Sequence, residues 1–185
     1  MNSTGRRIVL YIAVSADGYI ARRNGAIDWL PHPRGGEDYG WSEFRASVDA
    51  AILGRRTYEG SLKMGASFTE SFPHYVFSRN PSQLPKPLGV QFLTELSAKF
   101  LRDLRAQPGK NIFLVGGAEV ISSFLDADEI DEFIITTVPI LIGEGIPLFR
   151  ERRGAARLKL RSCRSFSDGV VQTHYEALPA AGGDA

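Results

Sequence analysis

Two apolar patterns alternate along the chain, and this alternation is the feature that most limits its possible folds. Ile8–Val14 is an almost unbroken apolar run rich in β-branched and aromatic residues, which is typical of a strand covered on both faces. Similar shorter runs at 50–53, 111–115 and 133–138 are separated by segments whose apolar residues recur at helical spacing. Strands that alternate with helices, followed by two late strands, predict an α/β sandwich whose sheet is mostly parallel with an antiparallel edge.

The other elements follow from the same patterns. Further strands are predicted at 74–77, 90–93, 158–163 and 170–178, the last two separated by Asp168-Gly169, and Tyr19-Ile20-Ala21 briefly resumes the first apolar run. Helices are predicted between Glu37 and Val48 with a buried stripe of Trp41, Phe44 and Val48, from Arg55, from a Thr94 N-cap to Pro108-Gly109, and after Gly117. The segment 28–36 is rich in Pro and Gly and predicts a loop.

Composition excludes several classes of protein. The chain has 185 residues, 43% of them hydrophobic and 23% charged, which predicts one globular domain over 1–185 with an ordered core of about 8–178. Lys+Arg number 22 against 21 Asp+Glu, and this net charge of +1 argues against nucleic acid as a partner. No apolar run approaches the roughly 18 residues needed to span a bilayer, so we expect a cytoplasmic protein without membrane contact.

Cysteine and histidine placement argues against a metal site. Cys163 is the only cysteine, so neither an intrachain disulfide nor a thiolate zinc cluster can form. His32, His74 and His174 are far apart in sequence and lack the short spacings of metal ligands. We therefore interpret the histidines as surface or loop residues and expect no metal.

Two glycine-containing bends each lead from a predicted strand into a predicted helix. Gly54 precedes Arg55 and Arg56, and Gly116-Gly117 precedes the helix at 118. Ligands of open α/β sheets bind beyond the carboxyl ends of the strands, where helix N-termini offer free N–H groups to anions. A tight turn is the simpler explanation of a glycine pair, because the three-glycine dinucleotide fingerprint and the P-loop pattern are both absent.

Glu37 and Asp38 are the two candidates for a catalytic acid. Their simplest role is to complement the dipole at the start of a helix. At helical spacing the side chain of Glu37 lies on the same helix face as Trp41. Asp38 lies about 100° around the helix from Glu37, on the face of Ser42. Periodicity leaves open which of the two is semi-buried.

Four stretches together resemble the dihydrofolate reductase superfamily: Val14–Ala21, Ile52–Glu59, Phe113–Val120 and Gly143–Phe149. Their order and spacing are similar to the branch that contains the reductase domain of the bifunctional riboflavin-biosynthesis deaminase-reductase, and the resemblance runs from Ile8 to about Leu178. It implies a dihydrofolate reductase-like three-layer sandwich with a mostly parallel eight-stranded sheet and an antiparallel C-terminal hairpin.

The resemblance also implies a function. It points to an NADPH-dependent oxidoreductase, often a homodimer, that transfers hydride to a small pyrimidine- or pterin-type substrate. The substrate would be the ribosylaminopyrimidine phosphate of riboflavin synthesis. The alternative is that the protein is a dihydrofolate reductase proper, which acts on a dihydropterin. A protein that binds NADPH without catalysis is a third hypothesis, because a fold does not fix a function.

The resemblance assigns roles to residues by motif. It implies that NADPH is bound by Ala13 and Ile20 at the nicotinamide, Gly54, Arg55, Arg56 and Thr57 at the 2′-phosphate, Ser78 and Arg79 at the adenine, and Gly116, Gly117, Ala118, Glu119 and Val120 at the pyrophosphate. A cis peptide between the two glycines is a further implication. Trp29 and Thr137 would face the substrate, and residues 22–28 would close over the nicotinamide.

The resemblance favours Asp38 over Glu37 as the proton donor. Folate enzymes carry their acid sixteen positions ahead of the motif glycine, and counting back from Gly54 gives Asp38. A carboxyl group in an apolar pocket has a raised pKa, which suits a general acid.

The chain departs from the riboflavin enzymes in two respects. Its single cysteine excludes their zinc deaminase domain. Tyr58-Glu59-Gly60 follows the second motif where those reductases usually have Asp-x-Pro-x-Leu, and this is closer to the folate enzymes. The segment from Arg22 to Asp38 is also longer than in the compact folate reductases.

Overall fold

The computed structural model describes residues 5–31, 37–68, 72–151 and 154–179. The strands are β1 (Ile8–Ser15), β2 (Tyr19–Ala21), β3 (Val48–Gly54), β4 (His74–Phe77), β5 (Val90–Leu93), β6 (Asn111–Gly116), β7 (Glu132–Val138), β8 (Ile146–Pro147), β9 (Leu158–Ser165) and β10 (Val171–Ala177). The helices are α1 (Trp41–Ala46), α2 (Arg55–Lys63), α3 (Ala98–Ala106) and α4 (Ala118–Asp126), with a 3₁₀ turn at Pro81–Gln83.

Eight strands form one sheet in the order β5-β4-β3-β6-β1-β7-β10-β9. The first six are parallel to one another, and β10 is antiparallel to both β7 and β9. The predicted fold is therefore confirmed: a mostly parallel eight-stranded sheet with an antiparallel C-terminal hairpin. The apolar run of β1 lies between β6 and β7, where both of its faces are covered.

Helices cover the two faces of the sheet in pairs. Ile8, Leu10 and Val14 pack with α3 and α4 in the larger core cluster, which also contains Leu104 and Phe124. The alternate residues face the other way: Val9 and Phe113 pack against α1, and Leu53 and Val76 pack against α2. This period-2 division of strand side chains decides which residues can contact the same ligand.

Two helices begin later than their sequence patterns predict. Helix α1 starts at Trp41, which is 41% exposed, and the predicted stripe residue Val48 belongs to β3 instead. Helix α3 begins after Ser97, whose side chain accepts a hydrogen bond from the Phe100 amide, and not after Thr94. Both helices start where a side chain accepts amides that the first turn leaves free.

Two further features differ from the sequence interpretation. The loop predicted at 143–149 contains β8, which pairs with β2 in a small second sheet. His74 is buried in β4 between Phe68 and Phe72, and is not a surface residue, because its ring packs on theirs. His174 is half-buried and bonded to Glu132, and His32 lies outside the described residues. Within the described ranges, no helix is long and apolar enough to cross a membrane.

Candidate functional site

The two glycine bends lie side by side at the carboxyl edge of the sheet. β3 and β6 are neighbours, and Leu53 pairs with Gly116. A β-carbon on Gly117 would lie 3.9 Å from Cα of Gly54 and 3.0 Å from Oγ1 of Thr57. The starts of α2 and α4 are therefore in contact, and we call the surface shared by these two helix N-termini the cleft.

The glycines at these bends are required by backbone geometry. Gly116 has φ +120° and Gly117 has φ +85°, a region that L-residues with a side chain rarely adopt. The cis peptide implied by the resemblance is absent, since no described residue has one and the Gly116–Gly117 bond is trans. The positive φ angles alone turn the chain from β6 into α4.

Helix α2 presents cations where a helix N-terminus favours anions. Neither α2 nor α4 has a side chain that caps its first amides, and α2 has no acid in its first turn. Nε of Arg55 donates to Oε1 of Glu59 at 3.0 Å, while Arg56 is exposed. A bound anion would satisfy both the free amides and the arginines.

The remaining residues that were predicted to bind the coenzyme differ in their exposure. Ser78 is buried at the end of β4, where its hydroxyl accepts the Asn80 amide, and Arg79 beside it is exposed. In α4, Ala118 and Val120 are buried, whereas Glu119 is exposed and pairs with Arg150. A β-carbon on Gly54 would lie 3.0 Å from Val120, so Val120 fixes the spacing of the two bends.

The structure places the two nicotinamide candidates on different faces of the sheet. Ala13 alternates with Ile12 and Val14 along β1, so its side chain lies on the face of α1. Ile20 packs against the larger core cluster on the opposite face. Their side chains therefore point to opposite faces, and their shared role at the nicotinamide stays a prediction.

Asp38 does not lie in an apolar pocket. Its two carboxylate oxygens accept the amides of Gly40 and Ser42, each at 2.9 Å. Hydrogen bonds from the side chain and amide of Ser42 and from the amide of Gly40 hold the pKa of Asp38 below its ordinary value. The expectation of a raised pKa is therefore wrong. Asp38 stabilises the start of α1, and its exposed neighbour Glu37 accepts the amide of Tyr39.

The two substrate candidates, Trp29 and Thr137, have different surroundings. Thr137 pairs with Val14 and shares the face of α3 and α4, whereas its neighbour Thr136 pairs with Ala13 and is buried on the face of α1. Thr137 lines a cavity beneath the 15–19 turn, so its contact with the substrate stays a prediction. Trp29 is 6% exposed, and its Nε1 has no acceptor among the described residues.

Tyr39 is a residue of this edge that sequence reasoning missed. It has φ +52° although it is not glycine. Its carbonyl accepts the Tyr11 hydroxyl at 2.9 Å and Nε2 of Gln172 at 2.8 Å, and its own hydroxyl donates to Asp168. The bond to Asp168 raises the pKa of Tyr39 to about 12. The one sequence signal was Gln172, a polar residue at an inward-facing strand position.

Two cavities open at the same edge, one on each face of the sheet. The first has a volume of about 520 Å³ and lies beneath the 15–19 turn, with Thr137, Leu148 and Phe149 in its wall. The second has a volume of about 300 Å³ and lies between residues 31 and 37–39 on one side and the 167–170 turn on the other. Val138, on the α1 face of β7, lines the second cavity.

Known proteins are similar to this chain in both sequence and fold. The family model of the RibD C-terminal domain matches residues 6–172. The uncharacterized protein YwjB of Bacillus subtilis is 43% identical over 175 residues, which cover 92% of this chain and 97% of YwjB. The uncharacterized protein YyaP of the same organism is 32% identical over 187 residues, which cover 94% of this chain and 96% of YyaP.

Solved structures give the same result. A putative riboflavin biosynthesis protein from Shewanella sp. PV-4 superposes with a TM-score of 0.80 at 31% identity, covering 93% of this chain and 99% of that one. A Thermotoga maritima diaminohydroxyphosphoribosylaminopyrimidine deaminase/5-amino-6-(5-phosphoribosylamino)uracil reductase gives 0.71 at 18% identity, covering 94% and 57%. A dihydrofolate reductase from Enterococcus faecalis, complexed with NADP(H), gives 0.64 at 17% identity, covering 92% and 96%. At these identities the last two likenesses concern the fold.

Proposed function

The chain belongs to the RibD C-terminal domain family, and from this premise we propose that it is an NADPH-dependent reductase of a small pyrimidine- or pterin-type heterocycle. The observation that carries the proposal is the contact between the two glycine-led helix starts at Gly54 and Gly117. A phosphorylated dinucleotide has anionic groups at two places, and this cleft offers free helix amides at two places.

The residues of the cleft fit the coenzyme. Gly117 leaves open the space that a β-carbon would occupy beside Thr57, so that a pyrophosphate can approach the amides of α4. Arg55 and Arg56 lie at the start of α2 and would bind the 2′-phosphate, with Arg79 nearby at the end of β4. When bound, NADPH supplies the hydride, and the protein's part is to bind and orient the reactants.

The proton that accompanies the hydride requires a separate source. Asp38 is ionised near neutral pH because the Ser42 and Gly40 donors lower its pKa, so it is a poor proton donor there. In this proposal water delivers the proton to the reduced nitrogen or oxygen. Asp38 instead fixes the start of α1, whose Phe44 packs against Val9 and Phe113 of the sheet.

The hypothesis of a dihydrofolate reductase proper receives less support. That enzyme needs a semi-buried acid on the helix before the Gly-Arg motif, and here the residue at that position caps the helix with both oxygens. A protein that binds NADPH without turnover remains the competing hypothesis.

Oxidation of NADPH at 340 nm with a panel of acceptors tests the proposal. The panel contains dihydropterins, ribosylaminopyrimidines and quinoid compounds, and we expect turnover with at least one heterocycle. Tight NADPH binding without turnover of any acceptor would favour the non-catalytic hypothesis. Absence of NADPH binding would refute both.

The proposal includes a homodimer formed through the C-terminal hairpin. All eight residues of β9 are exposed, including Leu158 and Leu160, so no described element covers either face of this edge strand. A partner subunit is the simplest cover for such a strand.

A further inference from the structure

Trp41 is a partly exposed aromatic side chain at the start of α1. It is 41% exposed, although three aromatic residues of the α1 face contact it. The centroid of its ring lies 5.6 Å from that of Tyr11, 5.9 Å from that of Phe44 and 5.8 Å from that of Phe113. These rings are inclined to the indole by 64°, 41° and 64°, so no aromatic ring of the described residues stacks on it in parallel. A planar ligand ring can therefore stack on the exposed part of the indole.

Hydrogen bonds fix the backbone that leads into this side chain. The carbonyl of Asp38 accepts the amide of Trp41 at 3.0 Å. The carbonyl of Tyr39 accepts the hydroxyl of Tyr11 and Nε2 of Gln172. Tyr39 has φ +52°, a conformation that persists only where its surroundings hold it. The indole is therefore held in place before a ligand arrives, and a ligand that covers it loses little affinity to ordering the protein.

The aromatic contacts continue toward the coenzyme cleft. Tyr11 and Phe113 lie on the neighbouring strands β1 and β6, on the face of α1. Two residues further along these strands, Ala13 and Val115 share that face and are half-buried. Val115 packs against both the α1 and the α2 core clusters, so it lies between the two helices. Gly116 follows it and begins the turn of the cleft, about 10 Å of strand beyond Phe113.

We infer that Trp41 binds the substrate by stacking on its heterocyclic ring, on the α1 face of the sheet. This inference rests on the proposed reductase function and specifies which substrates that function selects. A pyrimidine or pterin presents a flat conjugated face that matches an indole, whereas an aliphatic carbonyl compound has no such face. Trp41 is then a specificity residue that contacts the substrate beside the coenzyme.

The inference chooses between the two faces of the sheet. The first cavity, beneath the 15–19 turn, lies on the face opposite to α1 and has an aromatic residue of its own, Phe149, in its wall. Phe149 is 41% exposed, the same fraction as Trp41. The two residues therefore form a matched pair for deciding where the heterocycle binds.

Tryptophan fluorescence tests the stacking directly, because the chain has only two tryptophans and the other, Trp29, is 6% exposed. The probes are 7,8-dihydropterin and 5-amino-6-(5-phosphoribosylamino)uracil, each titrated in the presence of saturating NADP⁺. We expect at least one probe to quench the emission of the wild type, and Trp41→Phe to abolish that quenching. Absence of quenching by both probes, or quenching that persists in Trp41→Phe, would overturn the inference. Equal quenching by NADP⁺ alone would also overturn it, because the indole would then contact the coenzyme.

Calorimetric titration of the same probes measures what the stacking contributes. Trp41→Leu should weaken binding of the quenching probe about fivefold to a hundredfold. Trp41→Phe, which keeps an aromatic face, should stay within about threefold of the wild type. Phe149→Leu is the matched control and should also stay within about threefold. A loss in Phe149→Leu as large as in Trp41→Leu would overturn the assignment to the α1 face.

Two further measurements on Trp41→Leu separate stacking from a structural role. Its affinity for NADPH should be unchanged, since the coenzyme cleft belongs to α2 and α4; a parallel loss of NADPH affinity would show that Trp41 supports the fold instead. Its sedimentation coefficient should equal that of the wild type. Dissociation to a smaller species would show that a second copy of the chain covers the indole, which would overturn the inference.

Failure of this inference and failure of the reductase proposal have different signatures. Turnover of a heterocycle that neither quenches Trp41 nor depends on it would refute the inference and leave the reductase intact. Lack of NADPH binding by the wild type would refute the reductase, while probe titrations without coenzyme would still report on stacking at Trp41.

Discussion

At the scale of single residues, the candidate acids owe their properties to the donors that surround them. Asp38 was expected to resemble a buried general acid because it lies sixteen positions ahead of Gly54. Its surroundings could not be predicted, because they depend on α1 starting only at Trp41 and turning its first amides toward Asp38. Sequence spacing locates a residue, whereas hydrogen bonding sets its pKa.

The first prediction concerns Asp38→Asn. We expect kcat to remain within about threefold of the wild type, because removal of a true general acid typically costs a hundredfold or more. A hundredfold loss of kcat with unchanged NADPH affinity would restore Asp38 as the proton donor. Steady-state kinetics with any accepted substrate makes the measurement.

The same residue predicts a pH dependence of stability. The folded pKa of Asp38 lies below its ordinary value of 3.8, so its stabilising contribution is present above pH 3.8 and is lost as pH falls through the folded pKa. The difference in urea midpoint between wild type and Asp38→Asn should therefore shrink as the pH is lowered below about 4. A difference that grows on acidification would contradict the cap.

At the scale of elements, the two strand–glycine–helix turns were predictable because local sequence determines them. Gly54 and Gly116-Gly117 end their strands where the sequence places them, and α2 begins at Arg55 as expected. Features that depend on pairing between distant strands were not predictable. Thr136 and Thr137 are equivalent by composition, and only the register of β7 with β1 decides which one faces α1.

Gly117→Ala tests the second of these turns. Its φ of +85° with ψ of 124° predicts a loss of about 1–3 kcal/mol of unfolding free energy, and its β-carbon, 3.0 Å from Oγ1 of Thr57, should also abolish NADPH binding. Gly65→Ala is the matched control: φ is +82°, but nothing lies within 4 Å of its β-carbon. We expect the control to lose stability and keep NADPH affinity. Equal affinities in both variants would show that the turn does not hold the coenzyme.

At the scale of the whole molecule, the parallel sheet collects the functional groups at one edge. Residues that are distant in sequence, from Asp17 to Asp168, meet there because the six parallel strands all end on that side. Alternating patterns sufficed to predict the sheet and its hairpin. The cavities were not foreseen, since they arise where the 37–39 segment meets the 167–170 turn across more than a hundred residues of chain.

The exposed outer strand carries a prediction about assembly. Sedimentation velocity should find a dimer, and Leu160→Asp should convert it to monomer by placing a charge on the apolar face of β9. Leu160 is 54% exposed in the single chain. Leu88→Asp is the control, because Leu88 is 91% exposed in the loop before β5, at the opposite end of the sheet. A monomeric wild type would contradict the proposed homodimer.

The central claim is that the contact between the two glycine-led helix starts forms a cleft for a phosphorylated dinucleotide, and coenzyme fluorescence tests it most directly. Titrations with NADPH and NADH should give at least about tenfold tighter binding of NADPH, and Arg56→Gln should remove that preference while leaving NADH affinity unchanged, because a charge-assisted hydrogen bond contributes about 1.5–3 kcal/mol. Arg102→Gln, at an exposed position of α3, should leave the preference intact. Equal affinities of the wild type for the two coenzymes would contradict the claim.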